Sequence, residues 1–130
     1  MILLKMNLTK FWYFSIFVLF LSCKFQNDIP EISFNKKIDL GVVKVGQSIE
    51  TKIYLKNISH VEYEIFDIKT SCGCTVAELV ERRIRPNDSI LLKSIFNAKI
   101  EDIGPINQSI VIKDNTSKEF SIIKIKGNVK

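Results

Sequence analysis

Histidine is nearly absent from this sequence: His60 is the only one among 130 residues. Serine and cysteine nucleophiles commonly need a base such as histidine within hydrogen-bond reach, and catalytic zinc usually has histidine ligands. The sequence also has no serine–histidine–aspartate order, no glycine-rich phosphate loop and no metalloprotease motif. We therefore expect a protein that is not an enzyme and carries no cofactor, with His60 as a polar loop residue.

Charge of one sign is not concentrated anywhere in the chain. The formal net charge is +5, and the one short basic run is Arg82-Arg83-Ile84-Arg85. A nucleic-acid-binding domain typically shows a larger basic patch, often together with aromatic side chains that stack on bases. We expect no nucleic-acid partner and interpret the run as a solvated loop. The alternative is that this basic run contacts anionic lipid head groups or an acidic glycan.

One long apolar run stands near the N-terminus. Residues 11–21 are apolar apart from Ser15, and Lys5 and Lys10 precede them without any acidic residue. Eleven residues suit the apolar part of a secretory signal and are too few to span a bilayer comfortably. We predict that residues 1–22 are a cleaved signal peptide. An uncleaved N-terminal membrane anchor is the alternative.

Cys23 directly follows this run. The segment Phe20-Leu21-Ser22-Cys23 resembles a bacterial lipobox, although Phe20 stands where leucine is preferred. The resemblance predicts cleavage before Cys23 and a diacylglycerol on its thiol, whereas the alternative is a chance cysteine in an apolar segment. Residues 23–30 would then be a lipidated tether to a bacterial envelope membrane. The remaining domain, residues 31–130, would lie in the periplasm or at the cell surface.

Residues 31–130 show the two-residue alternation of β-strands and no convincing 3.6-residue period. The clearest strand is 48–56, where Ile53 belongs to the apolar face and Tyr54 to the polar face. Gly41 interrupts a strand and predicts a β-bulge there. A second bulge is predicted at Ile65-Phe66, because the apolar alternation shifts by one residue at this point, so that Phe66 and Ile68 share the face opposite Ile65. Further strands are predicted over residues 36–44, 61–70, 75–80, 89–98, 106–113 and 119–129. Turns are predicted at Gly46-Gln47, Pro86-Asn87-Asp88, Gly104-Pro105 and Asp114-Asn115.

About seven strands in about a hundred residues predict an all-β fold, an immunoglobulin-like β-sandwich. Two hallmarks of antibody domains are missing. The single tryptophan, Trp12, lies in the signal segment. Cys72 and Cys74 are two residues apart and cannot form the usual disulfide between the two sheets.

Cys72 and Cys74 flank Gly73 and are the only cysteines besides Cys23. In a straight strand their Cα atoms would lie roughly 6.6 Å apart, at the far end of what a disulfide tolerates. A bend would bring them closer, and Gly73 permits one, even at positive φ. Three alternatives stay open: an easily reduced disulfide, a copper or zinc site on the two thiolates, or packing as small buried side chains. His60 would be a third metal ligand only if it lay beside the thiols. One Cys-x-Cys without a second pair is a weak sign of zinc, because structural zinc takes four ligands.

Several short motifs follow one another in a recognisable order. They are Asp39-Leu40-Gly41-Val42-Val43, Gly46, Leu55-Lys56-Asn57, Ser71-Cys72-Gly73-Cys74-Thr75, Pro86, Phe96, Gly104 and Lys126-Gly127-Asn128-Val129. Over residues 32–129 this order resembles the bacterial domain-of-unknown-function family fifteen seventy-three, most specifically through Cys-Gly-Cys-Thr. The resemblance implies an immunoglobulin-like sandwich, often on a lipid anchor, and no established activity. Leu40 stands where phenylalanine is common, and Asn87-Asp88 replaces a glycine after Pro86.

Two functions from different classes follow. We expect a non-enzymatic binding or assembly domain, because of the strand pattern, the predicted anchor and the absence of a catalytic motif. Its protein partner is unidentified, and the chain itself contacts the membrane through its lipid. The second hypothesis is a thiol site at Cys72 and Cys74 that binds copper or zinc or exchanges disulfides. In addition, Asp88-Ser89-Ile90 resembles a short acceptor motif of envelope O-glycosylation, which makes Ser89 a candidate for modification.

Overall fold

The computed structural model describes residues 28–130, so the predicted signal peptide, the lipobox and Cys23 lie outside the described residues. Within that range there are nine strands and one short 3-10 helix, and no helix is long and apolar enough to cross a membrane. The strands are β1 (Ile32–Ser33), β2 (Lys37–Val43), β3 (Ser48–Asn57), β4 (Tyr63–Thr70), β5 (Thr75–Leu79), β6 (Arg83–Ile84), β7 (Ser89–Asn97), β8 (Gly104–Asp114) and β9 (Phe120–Val129). The 3-10 helix is Ile100–Asp102.

The strands form two sheets, which confirms the all-β prediction. The four-stranded sheet has the order β1-β3-β7-β5, and the five-stranded sheet has the order β2-β9-β8-β4-β6. All pairs are antiparallel except β2 with β9, which are parallel. The chain crosses between the sheets several times, and one of these crossings, from β4 to β5, is the segment that contains Cys72 and Cys74.

The core lies between the sheets and follows from the alternation in the sequence. In the neighbouring strands β3 and β7 the predicted inner faces lie side by side, with Ile53 paired with Leu92 and Leu55 with Ile90 in the strand register. A strand with one apolar face gains most by burying that face against another sheet. The main core cluster comprises Ile53, Leu55, Tyr63, Ile65, Ile84, Leu92, Ile110, Ile112, Ile123 and Ile125.

The short basic run is not wholly a solvated loop. Arg83 and Ile84 form β6, which pairs with Tyr63 and Glu64 of β4, and Ile84 is buried in the main core. Only the arginines of the run remain exposed. The prediction missed this strand because two residues are too few to show alternation. Backbone pairing with β4 and the buried side chain of Ile84 hold it in place.

Both predicted bulges are present. The register of β2 against β9 shifts between Asp39 and Val42, and Gly41 there has a φ of 66°. The register of β4 against β8 shifts between Ile65 and Asp67. The shift lets Ile65 and Ile68 both face the core, while Phe66 is half exposed, so the prediction of a shared face for Phe66 and Ile68 was wrong.

The two ends of the sandwich differ in what they carry. At one end the backbone N–H of Ile58 donates to the carbonyl of Glu31, so the N-terminal residues 28–31 lie there. At the other end the N–H of Asn97 donates to the carbonyl of Cys74. We call these the N-terminal end and the cysteine end. Strand β3 runs between them, and its ten residues span roughly 33 Å.

Candidate functional site

The residues Ser71–Cys74 connect β4 of one sheet to β5 of the other. Ser71 and Ser109 of β8 hold this connection in place: the Ser71 N–H donates to the Ser109 carbonyl, and the Ser109 N–H donates to Ser71 Oγ, both at 2.9 Å. The hydroxyl of Thr70 donates to the Cys72 carbonyl at 3.1 Å. On the other side of the bend, the Asn97 N–H donates to the Cys74 carbonyl at 2.9 Å. The chain therefore bends at the cysteines and is fixed on both sides of the bend.

Cys72 and Cys74 are joined by a disulfide, with a Cα–Cα distance of 5.4 Å. This separation lies within the usual range of disulfides and is shorter than a straight strand would allow. The bend does not use a positive φ at Gly73, because the positive-φ glycines of residues 28–130 are Gly41, Gly46 and Gly104. A Cβ added at Gly73 would meet no atom within 4 Å. Glycine is therefore not sterically required between the cysteines.

The two cysteines differ in exposure. Cys74 is 5% exposed and belongs to a second core cluster together with Phe96, Ala98 and Ile106. Cys72 packs at the margin of the same cluster and is only partly buried. A reagent from solvent therefore reaches the side chain of Cys72 more readily than that of Cys74.

Gln108 of β8 completes the site. Its Nε2 donates to Cys74 Sγ at 2.7 Å and to Cys72 Sγ at 3.2 Å. Its Oε1 accepts a hydrogen bond from the hydroxyl of Thr75, which is buried and fixes the direction of the amide. The backbone N–H of Cys74 also donates to Cys72 Sγ, at 2.9 Å. Both sulfurs thus face N–H donors, and such donors stabilise a thiolate once the disulfide opens.

Sequence reasoning missed Gln108. It lies 34 residues beyond Cys74, in a predicted strand, and no local pattern distinguishes it from other polar strand residues. Only the register of β8 against β4, with Ile110 opposite Thr70, brings it beside the cysteines. The predicted pair at the end of a strand was visible in the sequence, whereas the side chain that contacts both sulfurs was not.

His60 does not join the cysteines. It lies in the connection between β3 and β4, at the N-terminal end, and the eight residues of β4 separate it from Ser71 by roughly 26 Å. In the part of the chain that the structure describes, no group of three or more His, Cys, Asp or Glu side chains could hold a metal ion. His60 is therefore too far from the cysteines to be a third metal ligand, and its place in an exposed connection agrees with the expected polar loop residue.

A second buried polar cluster lies away from the cysteines. Asp114 accepts hydrogen bonds at Oδ2 from the hydroxyls of Tyr63 and Ser121, at 2.8 and 2.6 Å, and at Oδ1 from the hydroxyl and N–H of Thr116. Burial of the carboxyl group opposes its charge, but these hydrogen bonds outweigh burial and hold the pKa of Asp114 below its usual value. All the acceptor oxygens are occupied, so the cluster serves the fold and leaves no oxygen for a ligand.

Asn57 has a comparable structural role. Its Nδ2 donates to the carbonyls of Val61 and Ile84, both at 2.8 Å, and its Oδ1 accepts from the N–H and hydroxyl of Ser59. A fully buried amide with all its hydrogen bonds satisfied ties the connection after β3 to β6. Ser89 lies exposed at the start of β7, where its modification stays an untested prediction.

The family model described as "Protein of unknown function (DUF1573)" matches residues 32–129 of the chain. This chain belongs to that family. The match confirms the resemblance seen in the order of the short motifs, and it covers every strand of both sheets. The family's description names no activity. A comparison with curated protein sequences gave no match.

Solved structures show the same fold. A protein of unknown function from Porphyromonas gingivalis W83 is similar, with a TM-score of 0.68 and 21% identity over 78% of this chain and 46% of that one. The PapD-like domain 7 of human CEP192 has a TM-score of 0.61 and 12% identity over 78% and 84%. The secreted serine protease VesC from Vibrio cholerae has a TM-score of 0.62 and 14% identity over 75% and 23%.

These likenesses establish an immunoglobulin-like, PapD-like sandwich. The chain spans less than half the length of the Porphyromonas protein and about a quarter of the protease. At such low identity the comparison speaks for the fold alone.

Proposed function

We propose that this chain is a lipoprotein of a bacterial envelope, anchored through Cys23, whose immunoglobulin-like domain binds or assembles with another protein. The family membership and the PapD-like fold support a non-enzymatic binding domain. The basic, then apolar N-terminal segment and the lipobox-like Ser22-Cys23 support the anchor. Sandwich domains commonly bind through the loops at one end or through a free edge strand.

The position of residues 28–31 is the observation that carries the proposal. The chain enters the domain at the N-terminal end, about the length of β3 away from the cysteine end. A lipid on Cys23 would therefore direct the cysteine end away from the bilayer. That end carries exposed apolar side chains on two loops, Val45 before β3 and Ile100 and Ile103 before β8. The two loops are neighbours, because the Gly46 N–H donates to the Ala98 carbonyl at 2.8 Å. Exposed apolar groups on neighbouring loops are typical of a binding surface.

Site-specific photocross-linking in intact cells tests this surface. A photoreactive amino acid replaces Ile100 or Ile103, which are 69% and 61% exposed, and as a control Tyr54, which is 65% exposed on the outer face of β3. We expect one discrete protein adduct from each loop position and none from Tyr54. Equal labelling from all three positions, or none from any, would rule out a binding surface at the cysteine end.

A further inference from the structure

We propose that Cys72 and Cys74 are a redox-active pair that exchanges its disulfide with a dithiol of another protein, with Cys72 as the sulfur attacked and Cys74 as the sulfur that leaves. The proposal is independent of the binding function above, because it rests on the sulfurs and their hydrogen-bond donors rather than on the apolar loops. It also assigns a role to Gln108, a side chain outside the Cys-Gly-Cys-Thr motif.

The direction of attack follows from burial. Thiol–disulfide exchange proceeds by attack of a thiolate on one sulfur, and access decides which sulfur is attacked. Cys74 is covered by Phe96, Ala98 and Ile106, while Cys72 lies at the margin of that cluster. An incoming thiolate therefore reaches Cys72 Sγ.

The leaving sulfur is the one that Gln108 contacts most closely. Leaving is faster when the departing thiolate is stabilised, and burial alone would disfavour a charged sulfur at Cys74. The Nε2 of Gln108, 2.7 Å from Cys74 Sγ, supplies a hydrogen bond to that charge. The buried hydroxyl of Thr75 holds the amide so that its NH₂ group and not its oxygen faces the sulfurs. Gln108 and Thr75 are thus positioning residues for the exchange.

The exchange balances without a further co-reactant. A substrate thiolate attacks Cys72 Sγ, a mixed disulfide with Cys72 forms, the Cys72–Cys74 bond breaks, and its electron pair leaves with Cys74 Sγ. The second substrate thiol loses its proton to solvent and attacks the substrate sulfur of the mixed disulfide, which releases Cys72 as a thiolate. Both domain thiolates take up protons. The substrate dithiol is oxidised to a disulfide by two electrons, and the domain disulfide is reduced to a dithiol.

The fold tolerates this cycle. A bond between residues two apart closes a very short loop and removes little conformational entropy from the unfolded chain. The bend is held independently by the hydrogen bonds of Thr70, Ser71 and Ser109. Reduction of the disulfide therefore leaves the sandwich folded.

The first test uses the full-length protein extracted in detergent, with dithiothreitol as the dithiol and mass spectrometry after alkylation as the readout. We expect reversible reduction while the circular dichroism spectrum stays unchanged, and alkylation of Cys72 before Cys74 under limiting reagent. Gln108→Leu should slow reduction about tenfold, because it removes a hydrogen bond to a developing charge. It should also move the pH profile of thiol alkylation upward, which a purely structural role would not do.

Controls keep this test decisive. Asn107→Leu, at the exposed neighbouring position of β8, should leave rate and pH profile unchanged. If Gln108→Leu does not fold, Thr75→Val keeps the shape of the side chain and releases the amide, and a slower reduction is expected there too. A disulfide that is reduced only on unfolding, alkylation of Cys74 first, or an unchanged rate in the folded variants would overturn the proposal.

The second test looks for the partner dithiol in cells. In Cys74→Ser the Cys72 thiolate can still run the exchange in reverse: it attacks the disulfide form of the partner, forms a mixed disulfide and releases the partner's second sulfur as a thiolate. Because Cys74 is missing and cannot complete this reverse exchange, the mixed disulfide should accumulate, and it should disappear on reduction. Cys72→Ser, which leaves only the buried Cys74, should trap nothing. No adduct from Cys74→Ser, or equal adducts from both variants, would overturn the assignment of Cys72 as the attacked sulfur. Because neither test involves the apolar loops, failure here would leave the binding proposal standing.

Discussion

The hydroxyl of Tyr63 donates a hydrogen bond of 2.8 Å to the carboxylate of Asp114, and both side chains are buried. The contact joins the first residue of β4 to the last residue of β8. The pKa of Tyr63 is raised far above its usual value. Burial of the hydroxyl is the largest cause, and the hydrogen bond to Asp114 and the negative charge of Asp114 add to it. Asp114 in turn keeps a lowered pKa through its hydroxyl and backbone donors. Each group is thus held in the protonation state that the other requires.

This pair predicts how stability depends on pH. A lowered pKa of Asp114 in the folded state contributes stability above about pH 4, which is lost as the pH falls through the folded pKa. A raised pKa of Tyr63 contributes stability below about pH 10, which is lost as the pH rises further. Asp114→Asn should cost about 1–3 kcal/mol near pH 7, with a smaller difference from the wild type at pH 3. Thermal unfolding across the pH range measures this difference.

Tyr63→Phe is the matched variant for the alkaline side. It keeps the ring in the core and removes only the hydroxyl, so it should cost about 1 kcal/mol near pH 7. Above pH 10 its stability should fall less steeply than that of the wild type. A constant difference between wild type and both variants from pH 3 to pH 11 would show that the pair does not govern the pH dependence.

Adjacent residues of β3 test the register of the sandwich. Ile53 is 3% exposed in the core and Tyr54 is 65% exposed on the outer face. Ile53→Asp buries an unpaired charge and should prevent folding, while Tyr54→Asp should change the free energy of unfolding by less than about 1 kcal/mol. Circular dichroism and denaturant unfolding distinguish the two. Similar losses in both variants would be incompatible with the observed register.

Two glycines form a second matched pair. A Cβ at Gly127 would lie 3.0 Å from the Gly41 carbonyl oxygen and 3.1 Å from Ile106 Cδ1, whereas a Cβ at Gly73 would meet nothing within 4 Å. Gly127→Ala should therefore cost about 1–3 kcal/mol through overpacking. Gly73→Ala should stay within about 0.5 kcal/mol of the wild type. Denaturant midpoints compare them, and a larger loss at Gly73 would mean that the bend needs glycine after all.

The predicted anchor is tested at Cys23. Cys23→Ala should leave an uncleaved precursor that incorporates no labelled fatty acid, because the signal peptidase and the lipid transfer both require the thiol-bearing residue. Mass spectrometry and membrane fractionation provide the readout. A mature protein of unchanged mass and membrane partitioning in this variant would exclude the lipobox interpretation. Ser22→Ala, which keeps a small residue before Cys23, is the control and should be processed normally.

Local patterns in the sequence determined most of the strands. Alternation placed β3 and β7 with the correct inner faces, because a strand side chain points to one face every second residue. Gly41 marked a bulge, and Pro86-Asn87 marked a turn in which Asn87 adopts a φ of 64°. These features are encoded within a few residues of each other and need no knowledge of the rest of the chain.

Contacts between distant strands were decided by the tertiary structure alone. Nothing near Gln108 in the sequence points to the cysteines, and nothing near Tyr63 points to Asp114, since each pair meets only through the register of β4 and β8. His60 is closer to Cys72 in sequence than Gln108 is, yet the length of β4 keeps it at the opposite end. Sequence alternation determines which face a side chain takes, whereas strand pairing over long separations determines which side chains share that face. The cysteine pair was therefore foreseeable, and its hydrogen-bond donors were not.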